Sequence, residues 1–355
     1  MNENNFYLPK IYCTMKIFNQ CSIILLNILF SASVFAQSVP HGISPEWSQE
    51  TLLPAPLNST NYRGFLYSNM CVLSNNKRII FVNKEDNPLG VFYTWSYDGI
   101  NWAQPVKFEP VSVIGLAEIK VAKDTNDNIH IIWSSNIPKA LYYTQMDSAL
   151  NIVIDSVRIA DNPVANKFSD EYLTVDLKNR IHVMWNEGKT ANSVMECYYS
   201  RSDDGGMTWT PKKIISTTDA FNSAFPRGQF NACNGDTIAI AWRDSVSAYD
   251  WDIQMVTSFD AGNTWSAPFT VNSSPDYQGD PDVVIDNQNR IHLFYHHAPV
   301  GNMYWGIRVV YGYSDDFGQT WLPSSNFYQN PICLNQRSYL VEGSRYDIKN
   351  NILWT

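Results

Sequence analysis

Ser202-Asp203-Asp204-Gly205-Gly206-Met207-Thr208-Trp209 returns as Ser258-Phe259-Asp260-Ala261-Gly262-Asn263-Thr264-Trp265 and as Ser314-Asp315-Asp316-Phe317-Gly318-Gln319-Thr320-Trp321. The two intervals are equal, 258 − 202 = 56 and 314 − 258 = 56 residues. A fixed period of this size signals a repeat architecture. The octet S-x-D-x-G-x-T-W also predicts its own local structure, a tight β-hairpin. Ser and Asp oxygens accept from the turn's N–H groups, Gly supplies a positive φ, and Trp packs beneath. A shorter copy, Ser96-Tyr97-Asp98-Gly99-Ile100-Asn101-Trp102, lies 202 − 96 = 106 residues upstream of the first full octet. That gap leaves room for one more unit, whose hairpin has decayed to Gln145-Met146-Asp147-Ser148.

Between hairpins a second element recurs: Asp127-Asn128-Ile129-His130-Ile131-Ile132-Trp133, Asn179-Arg180-Ile181-His182-Val183-Met184-Trp185 and Asn289-Arg290-Ile291-His292-Leu293-Phe294-Tyr295. Each reads as an Asn-containing turn entering a strand. Weaker copies occupy 77–83, 235–242 and 349–354. One strand precedes each copy, for example residues 281–286, and another follows each box Trp, for example residues 266–271. The unit is therefore four antiparallel strands, which is the size of a propeller blade. His130, His182 and His292 hold one position in three separate blades, so a structural role is expected rather than a shared metal. His296-His297 end a strand in a single blade, where they could reach a pocket.

Composition agrees with a large strand-rich core: 45% of residues are hydrophobic, only 17% are charged, and there are 12 Trp and 20 Tyr. A net charge of −9 without any Lys/Arg stripe argues against a nucleic-acid partner. It leaves an anionic ligand possible, because a few arginines focused in a pocket outweigh distant charge. Residues 15–36 read as a secretory signal, with Met15-Lys16, an apolar stretch and Val34-Phe35-Ala36 before Gln37. Residues 1–14 form a possible upstream leader and 37–45 a linker, and a secreted, cell-surface or periplasmic protein follows, with no membrane span after cleavage. Cys71, Cys197, Cys233 and Cys333 remain, too far apart for a zinc site, and are expected as buried free thiols. Five complete blades and a sixth built from both chain ends account for residues 46–355. The sixth lacks a strand, so the natural chain is expected to continue past Thr355.

The octet resembles the Asp box, or neuraminidase repeat, of the sialidase superfamily. The resemblance implies an all-β, six-bladed β-propeller of four-stranded antiparallel blades, with the boxes on outer hairpins away from the central pocket. It implies further a glycoside hydrolase of exo-α-sialidase type, with a Tyr nucleophile, an Arg clamp on the substrate carboxylate, no metal and no organic cofactor. Matched position by position, Tyr62-Arg63 offers Arg63 for the first clamp, and Arg243 and Arg308 offer the second and third. Asp86 stands for the acid/base and Tyr339 for the nucleophile. The Glu expected to partner that Tyr is missing from Ala224-Phe225-Pro226-Arg227-Gly228-Gln229-Phe230, so Glu342, or Glu187 and Glu196, would have to substitute. Arg227 competes with Arg243 for the pocket. Registering the blades on the I-H strand also places Glu118, Asp170, Arg227 and Asp280 at one inner position, as a polar mouth that would contact substrate. Sialylated or other extracellular glycans are the expected partners. A propeller that only binds glycan or protein, and a polysaccharide lyase using His296 or His297, are the alternatives.

Overall fold

A computed structural model describes residues 53–57, 68–84, 90–110, 114–137, 139–161, 168–188, 194–230, 235–247, 250–286, 288–298, 308–322, 331–334, 345–347 and 352–354. The signal, leader and linker readings, and Arg63, Asp86, Tyr339 and Glu342, lie outside these residues. Four-stranded antiparallel sheets follow one another along the chain. The first comprises β1 (Ser68–Val72), β2 (Arg78–Lys84), β3 (Gly90–Ser96) and β4 (Val106–Lys107). The second comprises β5 (Ile114–Lys123), β6 (Ile129–Ile137), β7 (Lys139–Met146) and β8 (Ile152–Asp161). The third comprises β9 (Phe168–Val175), β10 (Ile181–Gly188), β11 (Met195–Ser202) and β12 (Lys213–Ile214). The fourth is β13 (Ser223–Phe230), β14 (Ile238–Ser247), β15 (Asp250–Ser258) and β16 (Phe269–Asn272). The fifth is β17 (Tyr277–Ile285), β18 (Ile291–Ala298), β19 (Arg308–Ser314) and β20 (Pro331–Leu334), and a pair, β21 (Arg345–Asp347) with β22 (Ile352–Trp354), follows. Among the described residues there is no helix. The first strands β1, β5, β9, β13 and β17 neighbour one another in order, as innermost propeller strands do.

The second strand of each unit explains why the sequence reads as an unbroken apolar run. Strands β2, β10 and β18 are buried along their whole length, and in blade three both faces are covered by a neighbouring blade. Alternate side chains then serve alternate seams. Ile129, Ile131 and Trp133 pack back against Phe81 and Tyr93 of blade one, whereas Ile132 packs forward against Leu173 and Ile181 of blade three. Each such side chain contributes about 1.5–3 kcal/mol by leaving water.

The boxes form the predicted hairpins between third and fourth strands. Gly206, Gly262 and Gly318 each donate a backbone N–H to the box Ser, at 2.8, 2.8 and 2.7 Å. Thr208, Thr264 and Thr320 donate theirs to the box Asp at 2.9, 2.8 and 2.8 Å. Bonds from Thr320, side chain first and backbone second, hold the Asp316 carboxyl below its ordinary range. These glycines have φ of 95, 85 and 89°, and a Cβ on Gly206 or Gly262 would meet Tyr143 or Tyr199 of the preceding blade. The repeated Gly thus serves a close approach between blades as well as a turn.

The histidines are buried, as a structural role requires. His130, His182 and His292 hydrogen-bond through Nδ1 to the hydroxyls of Tyr143, Tyr199 and Tyr311, at 2.7, 2.8 and 2.9 Å. Their Nε2 atoms face Asp124, Asp176 and Asp286 at 3.5, 3.2 and 3.5 Å. Cys71 and Cys197 are buried and free, and burial pushes the Cys71 thiol up to about 12.

Candidate functional site

A β-bulge interrupts the first strand of blades two to five. The pairing skips residues 117–118 in β5, 170–171 in β9, 225–226 in β13 and 280–281 in β17. Bulges re-aim side chains. Asp170 and Asp280 both have left-handed backbones there, φ 55 and 49°, a conformation that Asp adopts more readily than most residues with a Cβ. Cross-strand partners correct the inner position read from sequence. Lys120, Tyr172 and Asp282 face Ile132, Met184 and Phe294, and Arg227 faces the equivalent Ala241. Two residues earlier stand Glu118, Asp170 and Asp280, and in blade four Phe225, not Arg227. The β13–β14 connection is two residues longer than its counterparts, which displaced the count from the I-H strand.

One cluster forms across the seam between blades four and five, at this same end of the sheets. Arg243, midway along β14, bonds through Nη1 to the Tyr277 hydroxyl and lies 3.4 Å from Asp280 Oδ1. Its guanidinium carbon sits 4.8 Å from the Trp251 ring centroid and 5.8 Å from that of Tyr277. Such stacking and a carboxylate on one arginine orient its remaining N–H donors. The other Asp280 oxygen accepts from His296 Nδ1 at 3.1 Å. Gly279 is required beneath, because a Cβ there would strike the Tyr277 hydroxyl. Exposure differs sharply within the cluster: the Asp280 side chain is 38% exposed, Arg243 18% and His296 4%. Asp280 is therefore the group presented to solvent, with Arg243 beside it and the imidazole behind. A backbone bridge, Trp251 to Tyr277, joins the third strand of blade four to the first strand of blade five in parallel.

Of the other candidates, Arg308 lies in β19 directly across from His297, which in turn faces Gln278 on β17. His297 accepts or donates through Nε2 with Asp276 at 3.1 Å, apart from the Arg243 cluster. Glu187 is held by Trp185 Nε1 and Lys212, and Glu196 by Ser216, in a buried network of blade three. Sequence reasoning missed Tyr277 and Trp251, whose meeting with Arg243 depends on how two blades pack. It also missed Asp244 and Asp252, cross-strand partners in blade four whose carboxyls burial raises to about 6. A hollow of about 270 Å³ lined by Phe259, Asp260, Thr264 and Trp265 lies at the blade-four box, the opposite end of its strands from Arg243. Its Ser258, Asp260 and Thr264 side chains are engaged within the hairpin itself. Among the described residues no group of three His, Cys, Asp or Glu is placed to hold a metal, and no helix is long and apolar enough to cross a membrane.

No family model matches the chain, and no curated protein sequence matches it. Solved structures resemble it in fold. An ulvan lyase, a polysaccharide lyase bound to -[GlcA(1-4)Rha3S]-, superposes with a TM-score of 0.53 and 13% identity over 72% of this chain and 68% of that one. An α-L-arabinanase from Penicillium chrysogenum complexed with arabinobiose gives 0.52 and 12%, over 74% and 81%. The α-L-arabinofuranosidase Arb93A from Fusarium graminearum gives 0.52 and 11%, over 74% and 80%. These are propeller-like carbohydrate-active proteins, and at such identities the likeness is one of fold.

Proposed function

We propose that the chain is an exported, six-bladed propeller enzyme that cleaves glycosidic bonds in an acidic glycan at the mouth beside blades four and five. The observation that carries this reading is Asp280, a solvent-facing carboxylate on a left-handed bulge residue, gripped by His296 and Arg243. A carboxylate so held can pass a proton to and from a leaving oxygen. Arg243 sets a cation beside Asp280 that would attract the carboxylate or sulfate of the sugar, and Trp251 lies against it as an apolar wall. Asp170, on the matching bulge of blade three, is the second carboxylate that hydrolysis asks for. Sialic acid is one sugar that fits such a site. That finer reading adds Arg63 and Arg308 as clamps, Asp86 as acid/base and Tyr339 as nucleophile.

A second reading is favoured by Tyr277 and His296 beside Arg243, and by the likeness to a lyase. In β-elimination the uronate carboxylate is neutralised by the arginine and a base takes the C5 proton. The C4–O bond then breaks, its oxygen takes a proton, and a C4–C5 double bond remains. The products separate the two: hydrolysis adds water and leaves saturated ends, whereas elimination leaves an unsaturated, ultraviolet-absorbing end. The test is incubation with sialosides, arabinan and uronate polymers. Asp280→Asn is expected to lose at least about 100-fold in rate as a lost proton-transfer group. Binding to an acidic glycan without any product would replace the enzyme by a binding module.

A further inference from the structure

Three buried side-chain chains link a blade to its own Asp and, where the next box is described, onward to that box. In the second, Asp124 and His130 lead to Tyr143, whose hydroxyl reaches Gly205 O at 3.0 Å in blade three. In the third, Asp176 and His182 lead to Tyr199, whose hydroxyl reaches Ala261 O at 3.3 Å in blade four. Blade five repeats Asp286, His292 and Tyr311.

Counting protons along the chain gives a constraint. A neutral imidazole has one N–H, a tyrosine one O–H, and a carbonyl or carboxylate none. Burial raises the Asp176 carboxyl, but hydrogen bonds from His182 and Arg180 outweigh it and keep it below its ordinary range, hence ionised. A carboxylate facing Nε2 requires the proton there. With a neutral ring, Nδ1 is then a bare acceptor, the Tyr199 hydroxyl must donate to it, and Ala261 O receives nothing from Tyr199. A second proton on the ring reverses this: Nδ1–H donates to the tyrosine oxygen, which is freed to donate to the next blade.

We propose that the Asp176–His182–Tyr199 chain is a proton-gated latch, in which protonating the imidazole turns the tyrosine hydroxyl onto the carbonyl of the following box. Charged groups around each ring set its operating range. His182 is faced by Asp176, Arg180 and Arg201, and His292 by Asp286, Arg290 and Asp315. Arg201 Nη1 also donates to Ala261 O, so that carbonyl keeps one partner in either state. Burial pushes both imidazoles below their ordinary range. The neutral ring is thus the resting form near pH 7, with the latch open. Stability from this group is full above the unfolded histidine's pKa and falls as pH drops towards the folded one, and closing the latch returns part of that loss.

The test is nitrogen NMR of the full chain labelled in histidine, with the His182 signals assigned through His182→Gln. The expected result is an Nε2–H tautomer near neutral pH, and a downward shift of the His182 midpoint in Tyr199→Phe, because the charged ring loses an acceptor and its onward bond. Tyr198→Phe, which leaves the chain intact, should not move it. An Nδ1–H tautomer near neutral pH, or a midpoint indifferent to Tyr199→Phe, overturns the proposal. Should Tyr199→Phe fail to fold, the wild-type tautomer alone still decides.

Discussion

The seam between blades three and four and the seam between blades four and five solve one packing problem differently. The first is pinned by polar contacts at both ends. Tyr199 reaches Ala261 O at the box, and Asn186 Nδ2 donates to Ser223 O at 2.6 Å near the mouth. In the second, Ala239 stands where His182 does and Met255 where Tyr199 does, three residues before the box Ser. The box of blade five therefore meets an apolar floor, with Phe269 under Gly318 and the Phe259 and Phe317 rings edge to face at 4.6 Å. Its polar side-chain contacts lie away from the box: Arg243 with Tyr277 and Asp280, and Asn272 Nδ2 donating to the Tyr295 hydroxyl at 2.9 Å. A seam held by dispersion at one end gathers its charged groups at the other.

Removing Arg243 breaks the comparison at its strongest point. Arg243→Ala is expected to cost about 10²–10³-fold in turnover of an acidic glycan, as loss of a preorganised cationic donor does. An unchanged rate on the same glycan would make the arginine a seam residue like Asn186. Next in size are the box glycines. Gly262→Ala should cost about 3 kcal/mol, combining a positive φ with a clash against a tyrosine that its histidine holds in place. Gly318→Ala should cost less, about 2 kcal/mol, since its Cβ would meet only the end of the half-buried Phe269 ring. Denaturant midpoints of the two variants rank them, and equal losses would mean that the histidine chain adds no rigidity.

The smallest effect concerns pH. Burial, then Asp250 and Asp244, raises the Asp252 carboxyl to about 6 from 3.8. The folded chain then binds more protons than the unfolded one between those values, so stability falls as pH rises through that window and is level above it. Asp252→Asn should raise the melting temperature slightly at neutral pH and leave it unchanged near pH 4. The stabilisation is under about 1 kcal/mol, because solvent screens a half-exposed group.

The scaffold could be read from the chain because its instructions are local. A box closes through Ser, Asp, Gly and Thr within eight residues, so each copy announces its own hairpin. The histidine chains were half legible. The I-H repeat is plain, but its carboxylate six residues earlier and its tyrosine three residues before the box position acquire meaning only when strands are paired. Arg243 and Asp280 were each picked out separately, yet nothing in sequence joins residues on different blades. Arg227 went to the wrong position through a two-residue difference in one turn, since counting along a chain carries every insertion forward.

The parallel bridge from Trp251 to Tyr277 has a mechanical meaning. Backbone ties are stiffer against sliding than contacts between side chains, so blades four and five move at the mouth as one plate. Arg243, Asp280 and His296 are thereby held in one frame across the seam.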